Sequence, residues 1–413
     1  MPESPLAGRS RTRLHTILAL GLAFILVSAC NASDKSGALP VYPPGVTNDA
    51  ITIGSSLALE GHAGYLGSQI LHGALSFISH VNDQGGINGR RIKLISYDDG
   101  YDPPRCMVNT QKLIVEDNVF ALFNYVGTPT TVKIIPIVTE ARIPLVGMFT
   151  GASALRQPLN RYLINIRASY YQEIQAAVRY MVNQLNLRKV AVFYQYDAYG
   201  FDGLKGTELA LKENNLTPVA TGAYTRGTLR VEEALTRIMA SGAQAVVMIG
   251  TYGPCAEFIH LARKRGYAGI FHNVSFVGPD ELARRLNREE KGVIVTQVVP
   301  PPEPSSGGGK LWGVEEYLKL LKQYYPDDSP NFVSLEGYIN ARVLVEGLKR
   351  VGRDISREGF IDGLESIQNY DLGIANPLSF SPVDHQGLEK VYFTIIRNGK
   401  FVLTDETGIT GLY

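Results

Sequence analysis

The stretch ITIGSSLALEGHAGYLGSQILHGALSFISHVNDQGGINGRRIKLISYDD, residues 51–99, reads as strand, helix, strand and decides the fold. Ile51-Thr52-Ile53-Gly54 opens a strand. Ile70, Ala74, Phe77, Ile78 and Val81 then recur at helical spacing and mark one buried helix face. Gly85-Gly86 stops that helix, and Arg91 to Tyr97 is the next strand. A strand returning through a helix to a second strand is the unit of a parallel sheet.

The alternation continues along the chain. A helix from Asn109 to Glu116, a strand from Phe120 to Tyr125, a helix from Thr130 to Ala141 and a strand from Ile143 to Phe149 complete a first run. A second begins at Tyr171, with helices at Tyr171–Leu185, Gly203–Glu213, Val231–Ala240 and Cys255–Arg265. Its strands are expected at Val190–Tyr194, Pro218–Tyr224, Ala245–Ile249, Ile270–Val274 and Val293–Val298. Two runs of this kind predict an α/β fold with two Rossmann-like lobes, each a parallel sheet covered by helices. Past a proline- and glycine-rich loop at 300–309, helices at Trp312–Tyr324, Leu335–Val351 and Arg357–Ser366 are too few for a third domain. They are expected to return to the first lobe. A strand pair, Val391–Arg397 and Lys400–Leu403, turns at Asn398-Gly399 and ends the reading.

The first thirty residues address location. Arg9, Arg11 and Arg13 precede an apolar run from Ile17 to Val27 that ends in Val27-Ser28-Ala29-Cys30. A membrane span would need roughly twenty apolar residues, so the segment reads as a secretory signal. The ending also resembles a bacterial lipobox, which would make Cys30 the lipidated first residue of the mature chain; the alternative is an ordinary signal with a chance cysteine. Residues 1–29 are thus expected as signal peptide and 30–48, polar and broken by Pro40, Pro43 and Pro44, as a tether. Removing the three Arg and one Glu of residues 1–29 from 40 basic and 39 acidic residues leaves 37 against 38, a net charge of −1. Such a balance points to neither nucleic acid nor a charged membrane surface as main partner.

Enzymatic and cofactor signatures are absent: there is no Gly-x-Ser-x-Gly elbow, phosphate loop or His-Glu-x-x-His. No cofactor and no metal are expected. His62, His72, His80, His260, His272 and His385 lack metal-ligand spacing and are assigned surface or helix-face roles. Asp98-Asp99, at a strand end, is read as capping the following turn. The informative residues lie at the C-terminal ends of strands, where an open parallel sheet binds ligands. Thr128 is expected as a helix N-cap with Pro129 first in the helix, and Thr150-Gly151-Ala152-Ser153 follows the next strand. Asp197, Tyr199 and Tyr252 occupy corresponding positions in the second run. Taken singly, each reads equally well as a cap or turn residue.

These features together resemble the leucine/isoleucine/valine-binding type of periplasmic binding protein, the substrate-binding component of ABC importers. The resemblance rests on Ile51-Thr52-Ile53-Gly54, on Val81-Asn82 with Gly85-Gly86-Ile87-Asn88-Gly89-Arg90, and on Tyr97-Asp98-Asp99. It extends to Gly127-Thr128-Pro129-Thr130, Ile143-Pro144, Thr150-Gly151-Ala152-Ser153, Asp197 with Tyr199-Gly200, and Ser334-Leu335-Glu336-Gly337-Tyr338. It implies a type I architecture with a three-strand hinge. Lobe one would be 49–168 with 302–385, and lobe two 169–301 with 386–413. Cys106 and Cys255 then fall in different lobes. A bridge across the cleft would stop it opening, so both are expected as buried thiols.

By the same resemblance, Thr128, Thr150, Ala152 and Ser153 match residues that hold a ligand carboxylate, and Tyr199 and Tyr252 match aromatic residues that close over it. At Ser275 the amino-acid binders carry a glutamate that pairs with the ligand's ammonium; a serine cannot supply that charge, unless Asp197 or another acid substitutes. The implied function is capture of a small carboxylate, amide or amino-acid-like molecule by hinge closure. Delivery would be to an ABC permease from a lipid-anchored position in the periplasm or at the cell surface. A sensor serving a membrane kinase or chemoreceptor, and less favourably an exported enzyme, are the alternatives.

Overall fold

The computed structural model describes residues 42–286, 291–304 and 311–404; the segments expected as signal peptide and lipobox, with Cys30, lie outside them. The first lobe is built on β1 (Ala50–Leu57), α1 (Gly64–Asp83), β2 (Arg91–Asp98), α2 (Pro103–Val115), β3 (Ala121–Phe123), α3 (Thr128–Glu140), β4 (Leu145–Val146) and β5 (Leu163–Ile164). Its sheet runs β2-β1-β3-β4-β5, all parallel.

The second lobe follows with α4 (Tyr170–Arg179), β6 (Val190–Gln195), α5 (Ala198–Lys212), β7 (Thr221–Tyr224), α6 (Glu232–Ala240), β8 (Ala245–Ile249), α7 (Tyr252–Lys264), β9 (Ile270–Asn273), α8 (Pro279–Leu286) and β10 (Val293–Gln297). After it come α9 (Trp312–Tyr324), α10 (Phe332–Val351), α11 (Arg357–Glu365), a short antiparallel pair β11 (Tyr370–Asp371) and β12 (Pro377–Leu378), and the hairpin β13 (Tyr392–Arg397) and β14 (Lys400–Leu403). The second sheet runs β14-β13-β10-β9-β8-β6-β7, with β13 and β14 antiparallel on an otherwise parallel sheet.

The sequence pattern explains these elements. Strand β8, Ala-Val-Val-Met-Ile, is buried at every position, as a strand covered on both faces must be. On α1 the stripe Ile70, Ala74, Phe77, Ile78 and Val81 is buried as its spacing predicts. That helix packs against α10. At Gly73 and Gly337 the two backbones come so close that a Cβ on either would overlap the carbonyl oxygen of Ser334 or Ile70. The returning helix therefore completes the first lobe. The hairpin turn has Asn398 and Gly399 both at positive φ, +52° and +76°, as a two-residue turn requires.

Segments 165–169 and 379–391 pass between the lobes side by side. Asn165 N–H donates to His385 O at 2.8 Å, Gly387 N–H to Asn165 O at 2.9 Å, and Leu388 N–H to Ile166 O at 2.8 Å. Beyond β10 the chain is described to residue 304 and again from Leu311, just before α9.

Several helices start earlier than their apolar spacing suggests: α2 at Pro103, α5 at Ala198, α7 at Tyr252 and α10 at Phe332. Their first turns mix proline, glycine, polar and aromatic residues that do not follow the later apolar stripe, so the periodic signal begins late. The caps carry the signal instead. Asp102 accepts from Arg105 N–H, Asp197 from Tyr199 N–H, and Asn331 from Ser334 N–H. Helix α4 ends in a π turn at Tyr180–Gln184, and β7 is shorter than its apolar run. The elements β5, α8, β11 and β12 have no counterpart in the sequence reading; three are only two residues long.

Two histidines depart from expectation. His272 lies on β9 in the core, and burial lowers its pKa to about 3. His385 is buried between Leu163 O and Glu365. Both serve the interior rather than the surface. Cys106 and Cys255 are free and buried, as expected, with burial pushing both thiol pKa values up. Asp98 and Asp99 organise turns: Asp98 accepts from Leu59, Glu60 and Gly100 N–H, Asp99 from Tyr101 N–H and the Ser56 hydroxyl. No group of three or more His, Cys, Asp or Glu among the described residues is arranged to hold a metal ion. No described helix is long and apolar enough to cross a membrane.

Candidate ligand cleft between the lobes

The wall from lobe one is neutral. Thr128 is the first residue of α3 rather than its cap; the cap position belongs to Gly127 at φ +96°, where a side chain would strike the Tyr101 ring. Freed from capping, the Thr128 hydroxyl meets the Thr150 hydroxyl at 2.7 Å, and Ala152 N–H donates to Thr150 Oγ1 at 3.3 Å. All three residues are buried. Ser153 parts from them: its N–H donates to Asp202 of α5 at 3.1 Å, and it lines a cavity of about 340 Å³ beside the crossings with Arg156, Gln172 and His385.

The wall from lobe two is aromatic. Tyr199, in the first turn of α5, is fully buried, with its ring 4.8 Å from that of Phe276 and 5.3 Å from that of Tyr170. Phe276 in turn contacts Phe149 at 5.4 Å and Tyr101 at 5.9 Å, so one ring joins both lobes. Tyr252 sits farther out, edge-on to Tyr65 of α1 and beneath the Arg285 guanidinium. Asp197 is occupied: besides capping α5 it accepts from Gln195 Nε2 at 2.7 Å and pairs with Arg226 at 3.0 Å. Its charge is met within the protein by Arg226.

Ser275 belongs to a buried ionic cluster that the sequence did not announce. Its N–H and hydroxyl donate to Glu173 of α4 at 2.8 and 2.9 Å, and the Thr296 hydroxyl adds a third bond at 2.8 Å. Arg167, on the first crossing, donates through Nη2 to the Ser275 hydroxyl and to Glu173. Its Nη1 lies 3.4 Å from Glu336 Oε1 on α10. The Arg167 side chain is 1% exposed and stacks over Phe149 and Tyr170. Burial raises the Glu336 pKa to about 7 against the pull of Arg167, and raises that of Glu173, opposed by Arg167 and its hydrogen bonds. Burial lowers the Arg167 pKa, but Glu336 and Glu173 outweigh it and hold the cation charged.

Of the residues expected at the site, the structure places Thr128, Thr150, Ala152, Tyr199 and Ser275 near the cleft, together with Arg167, Glu173, Glu336, Tyr170, Phe149, Tyr101 and Phe276, which were not expected there. Glu336 carried a usable signal: it is the single charged residue of the buried helical segment Ser334–Tyr338.

Two parallel α/β lobes whose strand ends face each other across a shared cleft, connected by paired crossings, define a cleft-binding protein of the hinged type. The chain belongs to the periplasmic binding protein family, in its leucine/isoleucine/valine-binding type, and the family profile matches residues 50–400. A solved structure titled as a possible leucine/isoleucine/valine-binding protein from Rhodopirellula baltica SH 1 is 34% identical. It superposes with a TM-score of 0.83 over 90% of this chain and 100% of its own. An amino acid binding protein of Pseudomonas aeruginosa is 28% identical over 251 residues, 60% of this chain and 66% of that protein. A Leu/Ile/Val-binding protein homolog 7 from Brucella abortus is 23% identical over 349 residues, 79% of this chain and 82% of that protein.

Proposed function

We propose that this chain is the solute-binding component of an ABC importer, taking a small carboxylate, amide or amino-acid-like molecule into the inter-lobe cleft and handing it to a permease. It works without catalysis, from the periplasm or cell surface, and is held at the membrane by lipid on Cys30. Lobe one comprises 49–168 with 302–385, lobe two 169–301 with 386–413, and the crossings act as the hinge. The observation that carries this reading is the closed cleft itself. The Phe276 ring of lobe two packs against Phe149 and Tyr101 of lobe one, and Gln195 Nε2 reaches across to the Tyr101 hydroxyl at 3.4 Å. Opening would expose the hydroxyl pair and the Ser275 loop together, and only closure brings the two walls to one ligand.

The test is thermal unfolding after a refolding step that strips bound ligand, across amino acids, short amides, and aliphatic and aromatic carboxylates. Ligand at about a hundredfold over its dissociation constant adds about 2.7 kcal/mol, a shift of several degrees. A hit recovered chemically intact supports binding without turnover; conversion of the hit would establish an enzyme. Loss of cellular uptake of that compound on deleting the gene would tie it to a permease, whereas undiminished uptake with lost chemotaxis or kinase response would favour the sensor.

A further inference from the structure

Arg167 is incompletely used by the protein. A guanidinium has five N–H donors. Its Nη2 serves Ser275 and Glu173, but Nε and Nη1 make no hydrogen bond, although the side chain is buried. The nearest acid to Nη1, Glu336, lies at 3.4 Å, and the facing oxygen Oε1 makes no hydrogen bond either. Unmet donors on a buried cation are costly, so the closed cleft is set up to receive an acceptor there. Glu173 cannot serve an incoming cation in the same way: Oε1 accepts from the Ser275 hydroxyl and Arg167, Oε2 from Ser275 N–H and Thr296. Next to the guanidinium stand the rings of Phe149 and Tyr170.

Resting on the solute-binding reading above, we propose that Arg167 determines specificity: the ligand is a carboxylate on an apolar or aromatic body, without an ammonium group, and its charged oxygen takes the free donors of Arg167 beside the Ser275 turn. Phe276, Phe149, Tyr170, Tyr199 and Tyr101 supply the apolar walls. Glu336 then acts as a displaceable counter-ion. Its carboxyl is held at about 7 by burial, lowered by Arg167 and Arg156 and raised by Glu173. Near neutral pH it takes up a proton when the ligand's oxygen arrives beside Arg167.

Isothermal titration of the ligand-stripped protein with 3-phenylpropanoate, 3-phenylpropanamide and phenylalanine decides it, since the second differs from the first by the charge and the third by an added α-ammonium. The acid is expected to bind at least about tenfold tighter than either of the others. That affinity falls from about pH 6 to about pH 8 as Glu336 ionises. Arg167→Gln removes the preference for the acid. Glu336→Gln keeps or tightens acid binding and flattens its pH dependence, and it decides the matter even where Arg167→Gln fails to fold. Tighter binding of phenylalanine, abolished by Glu336→Gln, would overturn the proposal in favour of an ammonium site at Glu336 while leaving the solute-binding reading intact. No binding of any of the three would overturn it as well, and the wider thermal panel then reports separately on whether the chain binds solutes at all.

Discussion

The two ends of the cleft are built on opposite principles. At one, Thr128, Thr150 and Ala152 form a neutral surface from consecutive strand-end loops of one lobe. At the other, Arg167, Glu173, Ser275 and Glu336 form a charged cluster drawn from a crossing, two elements of lobe two and a helix of lobe one. The neutral end can stay assembled whether the lobes are open or closed, because all its parts ride on one sheet. By the bounds proposed above, Arg167 and Glu336 belong to lobe one while Glu173 and Ser275 belong to lobe two, so the contacts of Arg167 with Glu173 and Ser275 depend on how the lobes stand. A cleft divided this way separates the hydroxyl contacts available on first encounter from the charge contacts that report closure.

The largest expected effect breaks the charged end. Glu173→Ala removes the acceptor of four hydrogen bonds and leaves the buried Arg167 with Glu336 as its only acid partner, costing about 3 to 5 kcal/mol in urea unfolding. A loss below about 1 kcal/mol would mean the cluster is no more than a surface pair. Next comes pH. Glu336 titrates at about 7 in the fold and near its ordinary 4.5 when unfolded. The folded state therefore holds the proton over that interval, and the contribution is complete below about 4.5 and lost as pH rises through about 7. Over the whole interval it amounts to about 3 kcal/mol. Comparing the native protein with Glu336→Gln isolates it, because Asp99, Asp202 and Asp280, each raised to about 6 by burial, change both proteins alike. Parallel pH profiles would place Glu336 in a wetter site than its burial suggests. The neutral end should respond differently: Thr128→Val weakens ligand binding about tenfold, or about 1.4 kcal/mol, with little change in unfolding. Unchanged affinity would remove the hydroxyl pair from the site.

The same division explains what was legible beforehand. The two lobes followed from periodicity, since β8 and the buried stripe of α1 need nothing beyond local pattern to be recognised. Thr128 and Thr150 were found because each follows a strand directly, although hydroxyl pairing replaced the expected cap. Arg167 and Glu336 are 169 positions apart in the numbering and come together only because α10 returns to lobe one and packs on α1 through Gly73 and Gly337. No local pattern carries that information. Ser275 was correctly seen as unable to supply charge, but not that Glu173 stands behind it, since α4 reads in sequence simply as an amphipathic helix.

Asp197 provides the smallest effect and sharpens the comparison from outside both ends. It is an acid at a strand end, on sequence grounds as good a candidate ligand group as Thr128, yet its oxygens cap α5 and neutralise Arg226. Asp197→Ala is expected to cost about 1 kcal/mol of stability through loss of the cap. The ion pair adds little, because both partners remain partly exposed to solvent. Any change in ligand affinity should come only through the first turn of α5, where Tyr199 sits, and so fall well short of that from Thr128→Val. Asp197→Asn keeps a capping side chain while removing the charge, and should recover most of the lost stability. An affinity loss in Asp197→Asn as large as that of Thr128→Val, with stability restored, would show that the ligand reads the charge itself. The cleft would then present an acid to its ligand at Asp197, and the division between a neutral end and a single charged end would no longer describe it.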